Sequence, residues 1–301
     1  MSIFKSFFSK EENNQASSEL KEFLTDFSIE VMPRTASKIE SFREILPKNT
    51  RVYIAHIEGV PIEEMVDTAK RISNEGFDVM PHFPARIIKD KKMLEEWIQK
   101  YQDEAGIEQA LLLAGGVSNP HGVFDSSMQL VETELFEKYN FKNLHFAGHP
   151  EGNKDIDHDG TTKNVDEALL WKQNFSERTD IKIAITTQFC FDAGPVINWA
   201  DSLIEGGINI PIHIGVAGPA KLQTLIKFSI ACGVGPSLKV LQNRAKDVKK
   251  LLLPFDPNDF LETLATHKKE HPSFNISNIH FFPLGGINAN ATWIKNAINN
   301  K

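Results

Sequence analysis

Residues 51–81, RVYIAHIEGVPIEEMVDTAKRISNEGFDVMP, contain the pattern that decides the fold. Arg51–Ala55 and Asp78–Pro81 are short, mainly apolar runs of strand length. Ile62–Glu75 lies between them and repeats its apolar residues at helical spacing. A strand, an amphipathic helix and a second strand in this order predict a parallel βαβ unit.

The same alternation continues on both sides of this unit. Further strands are predicted at Phe27–Met32, Ala110–Leu113, Leu144–Ala147, Lys182–Thr187, Ile210–Ile214 and Ile279–Pro283. Amphipathic segments predict helices at Lys92–Ala105, Met128–Tyr139, Val165–Phe175, Ala193–Glu205 and Lys221–Cys232. Eight strand segments are the number that closes a (β/α)8 barrel, so we predict a single (β/α)8 TIM barrel over residues 27–301. An open doubly wound sheet is the alternative, and it is disfavoured because no GxGxxG fingerprint follows the first strand.

The two ends of the chain extend this pattern. Residues 1–26 precede the barrel. They begin with a loose lead-in, which includes the charged and amide-rich stretch Lys10–Gln15, and end with an extra N-terminal helix at Ser17–Asp26. The stretch Ser237–His271 predicts two helices, with Pro254 and Pro257 marking the break between them.

Composition excludes several classes of protein. With 41% hydrophobic and 24% charged residues, the chain has the profile of a globular protein. The net charge of -7 argues against binding to nucleic acid or to an anionic membrane surface. Cys190 and Cys232 lack CxxC spacing, which argues against a disulfide framework and against a zinc knuckle. Because there is neither a signal-peptide pattern nor an apolar run of membrane-spanning length, we expect a cytoplasmic protein.

Polar residues at the carboxyl ends of barrel strands face the active site of such a fold. Candidates accompany each predicted strand: Glu30, Arg34 and Thr35; His56 and Glu58; His82 and Arg86; Gly115, Gly116, Ser118 and Asn119; His149, Glu151 and Asn153; Thr187, Gln188 and Asp192; His213; Gly285 and Gly286. Glu30 is the strongest candidate, because barrel strands are covered on both faces and an ionisable side chain there is costly.

Each of the other candidates has an alternative interpretation as a structural residue. His82 could cap a loop, the turn that holds His149 and Glu151 could owe its shape to its Pro and Gly, and His56 and His213 favour structure or binding over catalysis. Because the histidines are spread one per strand, without a His-x-His pair, catalysis by a metal ion is disfavoured. The acidic loop Asp155–Gly160 could bind a cation, but a solvated turn is the favoured interpretation.

Five segments, taken together and in order, resemble the methylenetetrahydrofolate reductase family. They are Phe27–Pro33 (FSIEVMP), Met80–His82 (MPH), Gly148–Glu151 (GHPE), Thr186–Asp192 (TTQFCFD) and Ile279–Leu284 (IHFFPL). Each segment alone is a weak signal, but together they cover nearly the whole predicted barrel. The resemblance implies a flavin-dependent barrel that holds FAD at its carboxyl-end face and moves a hydride between the flavin and a folate.

The resemblance also implies roles for individual residues. Glu30 would be the catalytic acid, a buried carboxyl with a raised pKa that protonates a ring nitrogen of the folate. Gln188, with Glu30, would bind the pterin. FAD would be bound by His56, His82, Leu113, Ala114, Gly115, Gly116, His149, Glu151 and Lys172. By analogy with the family we expect NADH or NADPH as an electron donor and a homo-oligomer.

Two departures from the family pattern leave the reaction open. The strand-four motif L-R-G-D is here Leu113–Gly116 (LAGG), so both the arginine and the acid near the flavin are missing. The basic residue after the last strand is replaced by Gly285-Gly286. The donor and the direction of the reaction are therefore open, and oxidation of methyl-tetrahydrofolate is one alternative. A second alternative function is a non-redox, pterin-binding barrel for folate-dependent methyl transfer. A third alternative is a metal-dependent hydrolase.

Overall fold

Eight parallel strands pair in sequence order and close into a barrel, the first strand pairing with the eighth. The computed structural model describes residues 16–233, 240–243, 245 and 254–299. The strands are β1 (Ser28–Val31), β2 (Arg51–Ile54), β3 (Asp78–Pro84), β4 (Gln109–Leu113), β5 (Asn143–Gly148), β6 (Lys182–Cys190), β7 (Ile212–Ala217) and β8 (Ile276–Phe282). The predicted (β/α)8 barrel is confirmed.

Helices alternate with these strands on the outside of the barrel. They are α1 (Ser18–Phe23), α2 (Pro33–Ala36), α3 (Ile62–Asn74), α4 (Lys91–Ala105), α5 (Ser127–Val131), α6 (Leu135–Lys138), α7 (Lys163–Ser176), α8 (Ala193–Glu205), α9 (Leu222–Ala231), α10 (Asn258–Glu270) and α11 (Ile287–Asn299). Single 3-10 turns lie at Phe42–Glu44 and Ala85–Ile87.

One predicted helix is wrong in its extent. The segment Met128–Tyr139 forms two short helices, α5 and α6, rather than one. The break lies at Glu134, whose φ of 61° puts the backbone in the left-handed region. A non-glycine residue in that region cannot continue a right-handed helix, so the chain turns before α6 begins.

The N-terminal helix closes the amino-end side of the structure. It forms at Ser18–Phe23, shorter than predicted, and packs against α10. Ser17, its N-cap residue, bonds to the Glu262 carboxylate of α10 through both its backbone N (2.8 Å) and its Oγ (2.6 Å). The lead-in before Ala16 lies outside the described residues, as does most of the first helix predicted within 237–271. The second helix follows Pro257 as α10.

The apolar core lies in the shell between strands and helices, where alternate strand residues such as Ile29, Val52 and Val79 are buried. The inside of the barrel is different. Many barrels fill that space with branched apolar side chains, but here it holds Tyr53 and several histidines, with a small apolar patch around Met80 and Leu111. This polar interior leads up to the carboxyl ends of the strands and forms the floor of the candidate site.

No helix in the described part of the chain is both long and apolar enough to cross a membrane.

Candidate functional site

The Glu30 carboxylate and two imidazoles meet at the carboxyl-end mouth of the barrel. Glu30 Oε2 lies 3.3 Å from His82 Nε2 of β3 and 3.7 Å from His280 Nε2 of β8. Both imidazoles are buried, whereas 19% of the Glu30 side chain remains exposed. The three side chains come from three different strands, so barrel closure between β8 and β1 is what brings them together. We call these three residues the Glu30 cluster.

The pKa of Glu30 differs from the expectation of a raised value. Burial raises the pKa of this carboxyl, but the imidazoles of His280 and His82 together lower it by more, and the result is a pKa of about 2. The resemblance suggested only an acid in an apolar strand, and it could not show which groups face that acid. In the free protein, Glu30 is therefore a carboxylate at neutral pH rather than a proton donor.

His280 is held on every side. Its Nδ1 lies 2.9 Å from Ser28 Oγ, and its ring packs against the rings of Tyr53 (centroids 4.3 Å apart) and Phe282 (4.8 Å apart). Burial lowers the pKa of His280, although the charge of Glu30 opposes the shift, so the ring is neutral at pH 7. If the Ser28 hydroxyl donates to Nδ1, then Nε2 carries the proton and directs it to Glu30.

A second buried layer lies beneath the Glu30 cluster. Tyr53 Oη lies 2.6 Å from His145 Nδ1 and 3.3 Å from Thr186 Oγ1, and these two partners are 3.1 Å apart. The His213 ring packs edge-on against the ring of His145, with centroids 4.6 Å apart. Burial lowers the pKa of His145 far below its ordinary value and that of His213 to about 3. Both rings are therefore neutral at pH 7, and His145 is the one of the two that is hydrogen-bonded to Tyr53 and Thr186, whereas His213 Nδ1 is buried without a partner among the described residues.

Gln188 is aimed by a bulge in β6. The register between β6 and β7 shifts between Thr186 and Phe189, and Thr187 Oγ1 accepts a hydrogen bond of 2.8 Å from the backbone N of Gly215. A Cβ at Gly215 would lie 2.5 Å from the backbone oxygen of Gln188, so only glycine permits this approach. The side chain of Gln188 is half-buried, and its Oε1 accepts from Phe189 N at 3.1 Å. Its Nε2 is a further hydrogen-bond donor.

The end of β4 provides an open backbone. Leu113 packs against the apolar patch inside the barrel, and the oxygen of Ala114 accepts from Arg86 N at 2.9 Å. Gly115 has a φ of 100°, which disfavours other residues, and a Cβ there would meet Pro84 at 3.0 Å. A Cβ at Gly116 would meet nothing within 4 Å. Steric hindrance therefore does not explain why Gly116 stands where the family motif has an acid.

A cavity of about 470 Å³ lies beside the mouth, between the ends of β4 and β5 and helix α7. Ala114, His149 and Lys172 line it, together with Trp171 and Arg86. Lys172 is buried, and its Nζ donates to the backbone oxygen of Ala147 at 2.9 Å. Burial lowers the pKa of Lys172 to about 8. Burial, and then the charge of Lys172, lower the pKa of His149 to about 4.

Arg86 ties three loops together at one wall of this cavity. Its Nε donates to Asp125 Oδ1 at 2.9 Å, and its Nη1 donates to Asp155 Oδ2 at 2.6 Å and to Val117 O at 3.2 Å. Two carboxylates therefore neutralise this cation. Among the residues that the structure describes, Lys172 forms no ion pair with any carboxylate, so its charge is available to an anionic ligand; the exposed carboxylate of Glu167 also lines the cavity.

The acidic loop Asp155–Gly160 uses its carboxylates within the protein. Asp155 pairs with Arg86, and Asp159 Oδ1 accepts from Thr161 N at 3.0 Å. Asp157 is buried and accepts from Asn164 N (2.9 Å) and Val165 N (3.1 Å), so it caps the start of α7. The favoured interpretation as a solvated turn is thus wrong for Asp157. In the described ranges, no three His, Cys, Asp or Glu residues are arranged to hold a metal ion.

Two predicted site residues lie apart from the Glu30 cluster. The ring of His56 stacks on Trp97 of α4, with centroids 4.8 Å apart, and its Nε2 lies 2.9 Å from Val60 O. This places His56 between the barrel and its helices. Glu151 is half-buried, and its charge, after burial, contributes to the raised pKa of Cys190 at the end of β6. The structure thus brings together Glu30 and His82 at the mouth, and His149, Ala114 and Lys172 at the cavity.

Sequence reasoning missed three residues of the barrel interior, Tyr53, His145 and His280. Each is a polar residue inside an otherwise apolar strand, and each occupies an inward-facing position of the alternating pattern. That alternation was the available signal, but candidates were sought at strand ends. His280 lay within a segment that resembles the family without being assigned a role.

Comparisons with known proteins identify the fold. No family model matches the sequence. Among solved structures, an uncharacterized protein from Clostridium thermocellum that binds two copies of 5-methyl-5,6,7,8-tetrahydrofolic acid is similar, with a TM-score of 0.55 and 12% sequence identity, over 92% of this chain and 98% of that chain. At this identity the likeness shows a shared fold. Membership of the methylenetetrahydrofolate reductase family stays a prediction.

Proposed function

We propose that this barrel binds a reduced folate at its mouth, with the pterin ring over Glu30 and Gln188. The observation that carries the proposal is the Glu30 cluster, an ionised carboxylate fixed by two imidazoles at the strand ends. A pterin presents alternating hydrogen-bond donors and acceptors along its edge. A carboxylate accepts from the donors, and the Nε2 of Gln188 donates to an acceptor.

Two independent lines support a folate as the ligand. The five segments that resemble the methylenetetrahydrofolate reductase family include Glu30 and Gln188, the two residues to which the resemblance gives folate-binding roles. In addition, the similar barrel from Clostridium thermocellum binds 5-methyltetrahydrofolic acid.

We extend the proposal to a flavoenzyme that interconverts 5,10-methylenetetrahydrofolate and 5-methyltetrahydrofolate. The residues beside the mouth fit FAD, because the cavity adjoins the open backbone at Gly115 and Gly116 and contains the unpaired, buried amine of Lys172. Lys172 would meet the phosphates, and Ala114 and His149 would lie along the cofactor. Bound FAD would transfer a hydride to or from the one-carbon group of the folate.

The charge state of Glu30 bears on the part that this residue would play in each direction of the reaction. In the oxidation of the methyl group, a hydride leaves that carbon, a bond forms between it and folate N10, and N10 loses its proton. In that direction the ionised Glu30 carboxylate would be the group that takes up this proton, and its lowered pKa makes it a weak base for the task. The proposal therefore includes oxidation of 5-methyltetrahydrofolate as one of its two directions, with an electron acceptor that receives the hydride from the flavin.

Calorimetric titration with 5-methyltetrahydrofolate tests the folate claim. We expect saturable binding of this ligand and no binding of the p-aminobenzoylglutamate fragment, which lacks the pterin. Absence of binding by 5-methyltetrahydrofolate would contradict the proposed ligand.

Absorbance spectroscopy tests the flavin claim separately. Protein incubated with FAD and desalted should retain flavin absorbance, which should bleach under anaerobic conditions with 5-methyltetrahydrofolate; NADH and NADPH should be added in parallel as alternative donors. Replacement of Lys172 by Met should reduce FAD retention, whereas Lys163→Met at the start of the same helix should not. Protein that binds the folate but never retains FAD would contradict the flavoenzyme.

A non-redox, pterin-binding barrel for methyl transfer is a second candidate. The absence of both charged residues from the strand-four motif favours it, because Ala114 and Gly116 offer no ionisable group to tune a flavin. This candidate predicts folate binding with undiminished affinity in the flavin-free protein and transfer of the methyl group to a thiol or corrinoid acceptor.

A further inference from the structure

Tyr53 lies at the centre of the barrel interior. It is fully buried, and in the sheet it is the register partner of Glu30. Its ring contacts three histidine rings, with centroid distances of 4.3 Å to His280, 5.9 Å to His145 and 6.4 Å to His82. Two of these three rings are the imidazoles that face the Glu30 carboxylate.

The hydroxyl of Tyr53 fixes the orientation of this ring. Burial raises the pKa of Tyr53 to about 12, so the phenol keeps its proton, and its Oη is hydrogen-bonded to His145 Nδ1, 2.6 Å away. Thr186 Oγ1 lies within 3.3 Å and holds the same two groups from β6. A phenol bonded at its tip and packed on all sides cannot change its ring plane without breaking these contacts.

The neighbours of His280 leave its ring one orientation. The rings of Tyr53 and Phe282 both pack against it, with centroids 4.3 Å and 4.8 Å away, and Ser28 Oγ bonds to Nδ1. If the Tyr53 ring were absent, the imidazole would have space to rotate, and its Nε2 would no longer be held toward Glu30. His82 contacts the edge of the same phenol.

We propose that Tyr53 is a positioning residue that holds the imidazoles of His280 and His82 against the Glu30 carboxylate. Tyr53 does not touch the ligand; it acts through the two imidazoles. The inference deepens the proposed function, and the role of Tyr53 in folate binding rests on that function. The quantity it predicts, the titration of Glu30, can be measured without any ligand.

Among the described residues, the titratable side chains that face the Glu30 carboxylate are His82 from β3 and His280 from β8. The two imidazoles lower the pKa of the carboxyl, whereas burial raises it. Any change that moves the imidazoles away therefore leaves burial as the dominant effect, and the pKa of Glu30 rises.

The test is a pH titration of the Glu30 carboxyl by 13C NMR in protein labelled at the glutamate side chain. The resonance is assigned by its loss in Glu30→Gln. Relative to the unaltered chain, Tyr53→Leu should raise the midpoint by at least one pH unit. Leu111→Ala, which also removes buried volume from the barrel interior, should leave the midpoint unchanged. An unchanged midpoint in folded Tyr53→Leu, or an equal shift in Leu111→Ala, would overturn the proposal.

Tyr53→Phe provides a second measurement, which tests the proposal even if Tyr53→Leu does not fold. It keeps the ring and removes the bond to His145. We expect 15N chemical shifts of His280 and His145 to change from those of one fixed tautomer to those of a mixture. Shifts identical to those of the unaltered protein would mean that the phenol does not orient these rings. Folate binding, measured separately on the same samples, shows whether the proposed function holds independently of this result.

Discussion

The inside of the barrel and the cavity beside it both hold ionisable side chains, but they satisfy these groups in different ways. Inside the barrel, Glu30, His280, Tyr53 and His145 face one another, so that each polar group has a polar neighbour from another strand. In the cavity, Lys172 is buried, and the partners that the described residues offer its amine are the backbone oxygen of Ala147 and the ring of Phe146, with no carboxylate among them.

The difference separates two roles. An interior in which polar groups from different strands face one another suits the positioning of a carboxylate, and the Nε2 atoms of His82 and His280 are buried without a closer hydrogen-bond partner than Glu30. A buried cation without a carboxylate retains its attraction for an anion that comes from outside. We therefore infer that the barrel interior holds and moves protons, whereas the cavity binds an anionic ligand.

The largest expected effect is a loss of stability in acid, which comes mainly from two histidines with a lowered pKa, the buried His213 and the half-buried His149. The folded-state pKa of His213 is about 3 and that of His149 about 4, both below the ordinary value of 6.5. The unfolded chain therefore binds more protons as the pH falls below 6.5, and stability decreases. Between pH 7 and pH 5 each of these histidines should remove about 2 kcal/mol from the free energy of unfolding.

Urea unfolding of His213→Leu at pH 7 and pH 5 measures this effect. The variant should lose less stability on acidification than the unaltered chain. His158→Leu is the matched control, because His158 is exposed on the β5–α7 loop. Equal losses in all three proteins would contradict a neutral, buried His213.

The next effect concerns the cation of the cavity. Because the pKa of Lys172 is lowered from 10.5 to about 8, its protonated form is disfavoured in the folded state, and stability should rise as the pH increases from 8 to 10.5. Lys172→Met removes the cost of burying the charged amine, which is about 3 kcal/mol below pH 8. It also removes one hydrogen bond, which offsets part of this gain. Urea unfolding at pH 7 and pH 10 should show a net gain of stability at pH 7 and a flatter pH dependence. A variant that is less stable at pH 7 would show that the amine stabilises the fold.

The smallest effect distinguishes two adjacent glycines beside the cavity. Gly115→Ala should cost about 1 kcal/mol or more, because the backbone there has a φ of 100°. Gly116→Asp should cost little, because nothing lies within 4 Å of the new Cβ. Thermal melting of the two variants compares them. If Gly116→Asp also lowers the midpoint strongly, then the open space at that position is filled in solution.

The sequence predicted the barrel well and its interior poorly, for a physical reason. Strand runs such as Leu144–Ala147 and helices such as Ile62–Glu75 depend on local periodicity, which one chain displays in full. The Glu30–His280 contact depends on barrel closure. The two residues lie 250 positions apart in the sequence, and the pairing of β1 with β8 brings them together.

The candidate site was predicted in part for the same reason. Glu30 and His82 could be found because they lie at strand ends, and Lys172 through the resemblance to a family. The lowered pKa of Glu30 could not be predicted, because it depends on which groups face the carboxyl. His56 shows the converse, since its place after β2 suggested the mouth, whereas its ring packs on Trp97.

The affinity of Glu30→Gln for 5-methyltetrahydrofolate, measured by calorimetry beside the unaltered chain, tests the central claim most directly. Glutamine keeps the size of the side chain and removes the charge that the two imidazoles and the pterin would share. Glu58→Gln is the matched control, because Glu58 pairs with His121 in the loops and does not contact the Glu30 cluster. The account predicts a loss of affinity of about tenfold or more for Glu30→Gln and none for Glu58→Gln. Equal affinities for all three proteins would contradict a folate site at Glu30.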